Sequence, residues 1–143
     1  DPCRRLDKAE AALHTMSYRN ERQLRLMLAA SLQRSVANGH PAGNMPLRQN
    51  RRVPLIEAAL QPVRVRLDPE AYQRLVASLS LIFGLESLIV FQDVLGIHPK
   101  QARRVKQWAI QALVHAAITD SAAADSAAAR RTHKVPPRAR RRT

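Results

Sequence analysis

Two carboxylates, Glu86 and Asp93, are set into the most apolar stretch of this chain, residues 75–95. Seven positions separate them, so on a helix they fall on nearly the same face. A carboxylate in such surroundings needs a partner wherever it sits, because an unpaired buried charge is too costly to keep. An antiparallel return of residues 99–118, after the turn Gly96-Ile97-His98-Pro99, brings Trp108 level with Glu86. It also brings Arg103 and Arg104 within a turn or two of Asp93. Two uses then stand open. The carboxylates tie the two helices together, or Glu86 is the polar anchor of a ligand cavity. Other chemistry is poorly supplied. Ser31, Ser35, Ser78, Ser80 and Ser87 fall within helical segments, not on strained turns. His14, His40, His98, His115 and His133 are scattered, without a metal-ligand spacing and a third ligand nearby. No glycine-rich phosphate loop is present. The expectation is a protein that is not an enzyme and needs neither metal nor cofactor.

The remaining segments read as helices that position this pair. Residues 69–94 are expected as one unbroken helix, with Asp68 as N-cap, Pro69 at the favoured first position and Glu70 near the positive end of the dipole. Gly84 in its interior costs only ~1 kcal/mol relative to Ala, too little to break a well-packed helix. His98-Pro99 repeats the capping device more weakly for a helix over 99–118, whose inward line is Trp108, Ala109, Ala112, Leu113 and Ala116. Upstream, Leu6, Ala9, Leu13 and Met16 mark one face of a helix over 3–17. Asn20 caps a second helix over 21–38, with Leu24, Met27, Leu28, Ser31, Leu32 and Val36 on its buried side and Asn38-Gly39 at its end. Gly39, Pro41, Gly43 and Pro46 make 39–47 a loop. A third helix spans 48–66 on the stripe Val53, Ile56, Ala59, Leu60 and Val63. Pro54 and Pro62 call for a start at the first or a kink at the second.

Composition agrees with an all-α fold. Hydrophobic residues make up 45% and aromatics only 3% of 143 residues, with no alternating β-branched run to suggest a strand. One cysteine, Cys3, excludes an internal disulfide and suits a reducing, cytoplasmic setting. The charged first 17 residues do not read as a signal peptide, and the start at Asp1 reads as a fragment or processed product. Ser78, Ser80, Glu86, Ser87, Gln92 and Asp93 interrupt the apolar stretch, which argues against a membrane span. Net charge is +13, and seven of the 24 basic residues lie in the last 14 positions. The expected division is a folded domain over 1–119 and a disordered Ala/Ser then Arg-rich tail over 120–143. This charge carries an alternative function: a basic helical nucleic-acid-binding or scaffold protein acting through the tail and Arg48, Arg51, Arg52, Arg64 and Arg66.

A helix apolar all round must be covered on all sides. One helical layer in a chain of this length can hardly do so, and a second copy is the natural cover. The residues here also carry a resemblance. The run Leu81-Ile82-Phe83-Gly84-Leu85-Glu86-Ser87-Leu88-Ile89-Val90-Phe91-Gln92-Asp93-Val94 resembles the long penultimate helix of TetR-family transcriptional regulators. Gly96-Ile97-His98-Pro99, then Ala102, Val105, Trp108-Ala109 and Ala112-Leu113, continue it. The specific part is 81–113. The family's N-terminal helix-turn-helix is absent from this chain, and the basic tail is not a family feature.

That resemblance implies an all-α bundle of about five helices whose long C-terminal hairpin forms a four-helix bundle across a homodimer. It implies a small apolar effector bound among the first four helices, and DNA contact through the missing N-terminal segment. The candidate lining is Met16, Met27, Leu28, Ser31, Leu60, Leu79 and Phe83, with Glu86 as anchor. The candidate seam is Leu81, Leu85, Leu88, Gln92 and Leu95 on one arm of the hairpin and Gln107, Gln111 and Val114 on the other.

Overall fold

The computed structural model describes residues 1–38 and 50–132, and these form helices with no strand among them. The loop expected over 39–47, the Gly39 cap, Arg48 and the basic tail past Thr132 lie outside the described residues. Helix α1 runs Pro2–Arg19, α2 Glu21–Asn38 and α3 Arg52–Leu60, the last continued by a 3-10 turn, Gln61–Arg66. Pro54 falls in the first turn of α3, and Pro62 enters the tighter 3-10 turn, so each proline sits where a missing N–H does least harm. Helix α4 is Pro69–Ile82, α5 Leu85–Ile89 with a following π-helical turn Val90–Val94, and α6 Pro99–Thr132.

Local chemistry sets the helix starts. The Asp68 carboxylate accepts from the N–H groups of Glu70 (3.0 Å) and Ala71 (3.2 Å), as expected of an N-cap. His98 does the same for α6, its Nδ1 accepting from Lys100 N–H at 3.2 Å ahead of Pro99 at the first position. Among the described residues the core forms one cluster. Leu6 of α1, Ile56 and Leu60 of α3, Leu79 and Phe83 at the end of α4, and Ile110 and Val114 of α6 are all essentially inaccessible. Helix α6 packs on α4 and α1, and α3 closes the other side against α1 and α4.

Four expectations are corrected. The helix over 69–94 is not continuous. It breaks at Phe83-Gly84, and its two parts, Pro69–Ile82 and Leu85–Val94, are bent by 51°. The 99–118 helix runs on to Thr132, because Ser121 is buried against the start of α4 and donates to Ala117 O while accepting from Asp68 N–H at 3.1 Å. Residues 120–132 are therefore helical. Its inward line is Ala102, Lys106, Ile110, Val114, Ala117 and Ser121, whereas Trp108, Ala112 and Ala116 face outward. Finally, α2 buries little. Met27, Leu32 and Val36 are exposed, because among the described residues α2 packs lightly on α1 and α5 and is held at its first turns by polar contacts to the turn Val90–Val94.

Among the described residues no single helix is long and apolar enough to cross a membrane, and only the bent 69–94 pair passes on length and composition together. Its Tyr72, Leu75, Leu79 and Phe83 serve as core.

Candidate functional site

The break in the long helix organises the site. Gly84 adopts φ 117° and ψ −169°, a region essentially closed to side chains bearing a Cβ. Phe83, just before it, is extended (φ −85°, ψ 120°), and its ring is fully buried. Ser80 and Ser87 flank the break. Ser80 Oγ donates to Val76 O at 2.8 Å, a back-bond that bends helices, and Ser87 Oγ donates to Gly84 O at 2.8 Å. Arg52 reaches in from α3 and clamps both sides. Its Nη1 donates to Ser80 O (3.0 Å) at the end of α4, and its Nη2 donates to Glu86 Oε2 (2.8 Å) in the first turn of α5. Glu86 thus pairs across to α3, and its charge also suits the positive end of α5.

Asp93 is paired elsewhere again. Arg25 of α2 grips it with both terminal nitrogens, at 2.6 and 2.7 Å, while its Nε donates to Glu21 at 2.8 Å. Those hydrogen bonds hold the Asp93 carboxyl below the usual carboxylate range. The carboxylates of 86 and 93 therefore tie the bent helix to α3 and α2.

The bend opens an apolar cleft of about 320 Å³ on the outer side of the hairpin. Leu81 and Ile82 line it before the break, and Glu86, Ser87, Val90 and Phe91 after it. Val105, Lys106 and Ala109 of α6 form the opposite wall. Trp108 stands beside this wall, 69% exposed. Leu81, Val90, Val94 and Leu95 are also exposed along the opposite arm.

Behind the cleft lies a buried ion cluster between α1 and α6. Lys106, 2% exposed, donates to Glu10 Oε1 at 3.0 Å, and Glu10 is wholly inaccessible. Arg103 joins it, with Nε 3.3 Å from Glu10 Oε2 and Nη2 on Asp7. His14 lies 3.9 Å from Glu10 and stacks at a tilt on Tyr18, ring centroids 4.6 Å apart. Burial, then the nearby Lys106 and Arg103 charges, push His14 down to about 4, and burial pushes the Tyr18 phenol up. Four buried atoms here, Glu10 Oε2, His14 Nδ1, Tyr18 Oη and Arg103 Nη1, have no hydrogen-bond partner among the described residues. Buried polar atoms of this kind are ordinarily satisfied by internal water. No group of three or more metal-ligating side chains is assembled among the described residues.

The expected site residues are dispersed. Leu60, Leu79 and Phe83 fill the core instead of lining a cavity, and Met16 and Met27 are 42% and 66% exposed. Leu28 and Ser31 are half-buried on α2. Glu86 alone of that set reaches the cleft. Of the expected seam, Leu81, Gln92, Leu95, Gln107 and Gln111 are exposed, whereas Leu85, Leu88 and Val114 are buried within the subunit and unavailable to a partner. The arginine cluster is partly consumed: Arg52 forms the clamp, and Arg64 lies 4.2 Å over the Tyr72 ring. Lys106 and Glu10 were missed because a charged residue in an apolar stripe reads as its solvent edge. The signal was their spacing, Leu6-Glu10 on α1 and Ala102-Lys106-Ile110 on α6, which is i, i+4 with core residues.

No protein-family model matches this chain, and neither a curated protein nor a solved structure matches it.

Proposed function

We propose that this chain is the homodimerising half of a TetR-like transcriptional regulator, two copies meeting through the outer face of the α4–α6 hairpin. The observation that carries this reading is the apolar strip left uncovered on both arms: Leu81, Val90, Val94 and Leu95 on one, Val105 and Trp108 on the other. Contiguous exposed apolar surface of this kind marks interaction sites on soluble domains. The residue pattern over 81–113 supplies the family reading. A small apolar effector, the class that the resemblance implies, finds its space in the hinge cleft, since Leu60, Leu79 and Phe83 of the expected lining are packed in the core. DNA contact belongs to a segment ahead of Asp1.

Sedimentation velocity tests the dimer. The expected result is a dimer at micromolar concentration, converted to a helical monomer by Leu81→Glu, since residue 81 is 78% exposed and its replacement leaves the core alone. A monomeric unmodified chain would overturn the proposal. The regulator reading is checked separately by the codons preceding Asp1: a helix-turn-helix there supports it, and an initiation codon in its place removes it while leaving the dimer.

A further inference from the structure

We infer that the hinge cleft is the socket for Trp108 of a second copy, so that each subunit completes the other's cleft. The inference rests on the proposed dimer and names what locks it.

Knob and socket adjoin. Of the cleft wall on α6, Val105 stands one helical turn before the outward-facing Trp108, and both are exposed. A two-fold contact needs that arrangement, because the same patch on both subunits must offer the projection and the recess that receives it. The cleft is lined almost entirely by apolar surface, and the charges at its edge already have partners. Lys106 is held by Glu10, and Glu86 is held by Arg52. An indole gains burial there without stranding a charge.

Charge selects a second copy over other occupants. A chain of net charge +13 repels its own copy over most of its surface. On α6 the cations Arg103 and Lys106 are turned inward onto Asp7 and Glu10. That leaves Arg104 as the one outward cation of residues 101–112, among the exposed Gln101, Gln107 and Gln111. Glutamine both donates and accepts, so it pairs with itself across a two-fold axis. An acidic partner or a nucleic acid would seek the basic surfaces elsewhere. The size is adequate too. Each buried tryptophan removes about 150–250 Å² from water. Two of them supply a third to a half of the roughly 1,000 Å² that a specific interface needs, and the exposed aliphatic residues of both arms supply the remainder. An effector entering the cleft would then act by displacing an indole.

Trp108 is the chain's single tryptophan, so its emission reports the socket directly. The experiment follows emission and acrylamide quenching of the unmodified chain over roughly 0.1–50 µM, beside sedimentation velocity. The expected result is a blue shift and loss of quenching that track dimer formation. Trp108→Ala, and Ala109→Phe in the socket wall, should each weaken dimerisation at least about thirtyfold, as anchors at the centre of an interface do. The double variant should be little weaker than either single one, because knob and socket are one interaction. Trp108 is exposed in the subunit, so its removal should leave far-ultraviolet circular dichroism unchanged. A dimer whose Trp108 stays red-emitting and fully quenchable would overturn this inference and leave the dimer standing. A chain that remains monomeric would overturn both.

Discussion

Gly84→Ala separates a bent long helix from a straight one by the sign of its effect. In the bent form the residue at 84 holds φ 117°, ψ −169°, and strain in that region costs about 1–3 kcal/mol for a residue with a side chain. The added Cβ would also stand 3.1 Å from Arg52 Cζ and 3.2 Å from both Arg52 Nη2 and Glu86 Oε2, inside ordinary contact. Arg52 must then shift and loosen its grip on Ser80 O and Glu86. Because that pair is partly solvent-screened, its loss is worth only a further ~0.5–1 kcal/mol. The sum is a destabilisation of about 1.5–4 kcal/mol. In a continuous helix the same change replaces an interior glycine with the best helix former and stabilises by about 0.8–1.0 kcal/mol. Urea unfolding followed by circular dichroism reads the difference. With a slope of about 1–3 kcal/mol per molar, the midpoint should fall by roughly 0.5 M or more. Arg52→Gln should reproduce only the smaller, clamp part. A midpoint that rises or stays put for Gly84→Ala, with the slope unchanged, would refute the hinge.

The buried ion cluster makes a second prediction. Glu10→Ala leaves Lys106 uncompensated and should cost about 3–5 kcal/mol, whereas Glu10→Leu with Lys106→Met should be close to neutral, a contrast that thermal unfolding of both variants checks. His14 sets a pH dependence. The fold excludes a proton that the unfolded chain binds between about pH 6.5 and 4, so the contribution is full above 6.5 and is lost as pH falls through that window. His14→Phe should flatten the stability–pH curve between 6.5 and 5, and an unchanged slope would show the imidazole is not held neutral. Deleting 123–143 should leave the melting temperature almost unchanged, since residues 122–127 are exposed, but ending the chain at Thr119 should lower it by removing the Ser121 bridge to Asp68 and the Arg74–Asp120 pair.

The sequence alone determined the local events. Asp68-Pro69 and His98-Pro99 start helices because a capping side chain and a proline at the first turn act on their own neighbours, whatever the rest of the chain does. The all-α class follows in the same way from helix-favouring composition without a strand pattern. Tertiary structure decided which faces turn inward and where the long helix breaks. The line through Ala102, Lys106 and Ile110 is the buried one because Glu10, from the far end of the chain, neutralises Lys106. Reading α6 by hydropathy alone puts Lys106 in water and turns Trp108 inward. Gly84 is a tolerable helix residue in isolation. It becomes a hinge because burying Phe83 needs an extended residue there, and because Arg52, 32 positions earlier, satisfies the carbonyl and carboxylate that the break exposes. The cleft exists only as a consequence of that bend. A site made by long-range pairing of charges leaves in the chain only the i, i+4 spacing of each charge with core residues and not its partner, since periodicity records what a segment does along its own axis and not what meets it from across the fold.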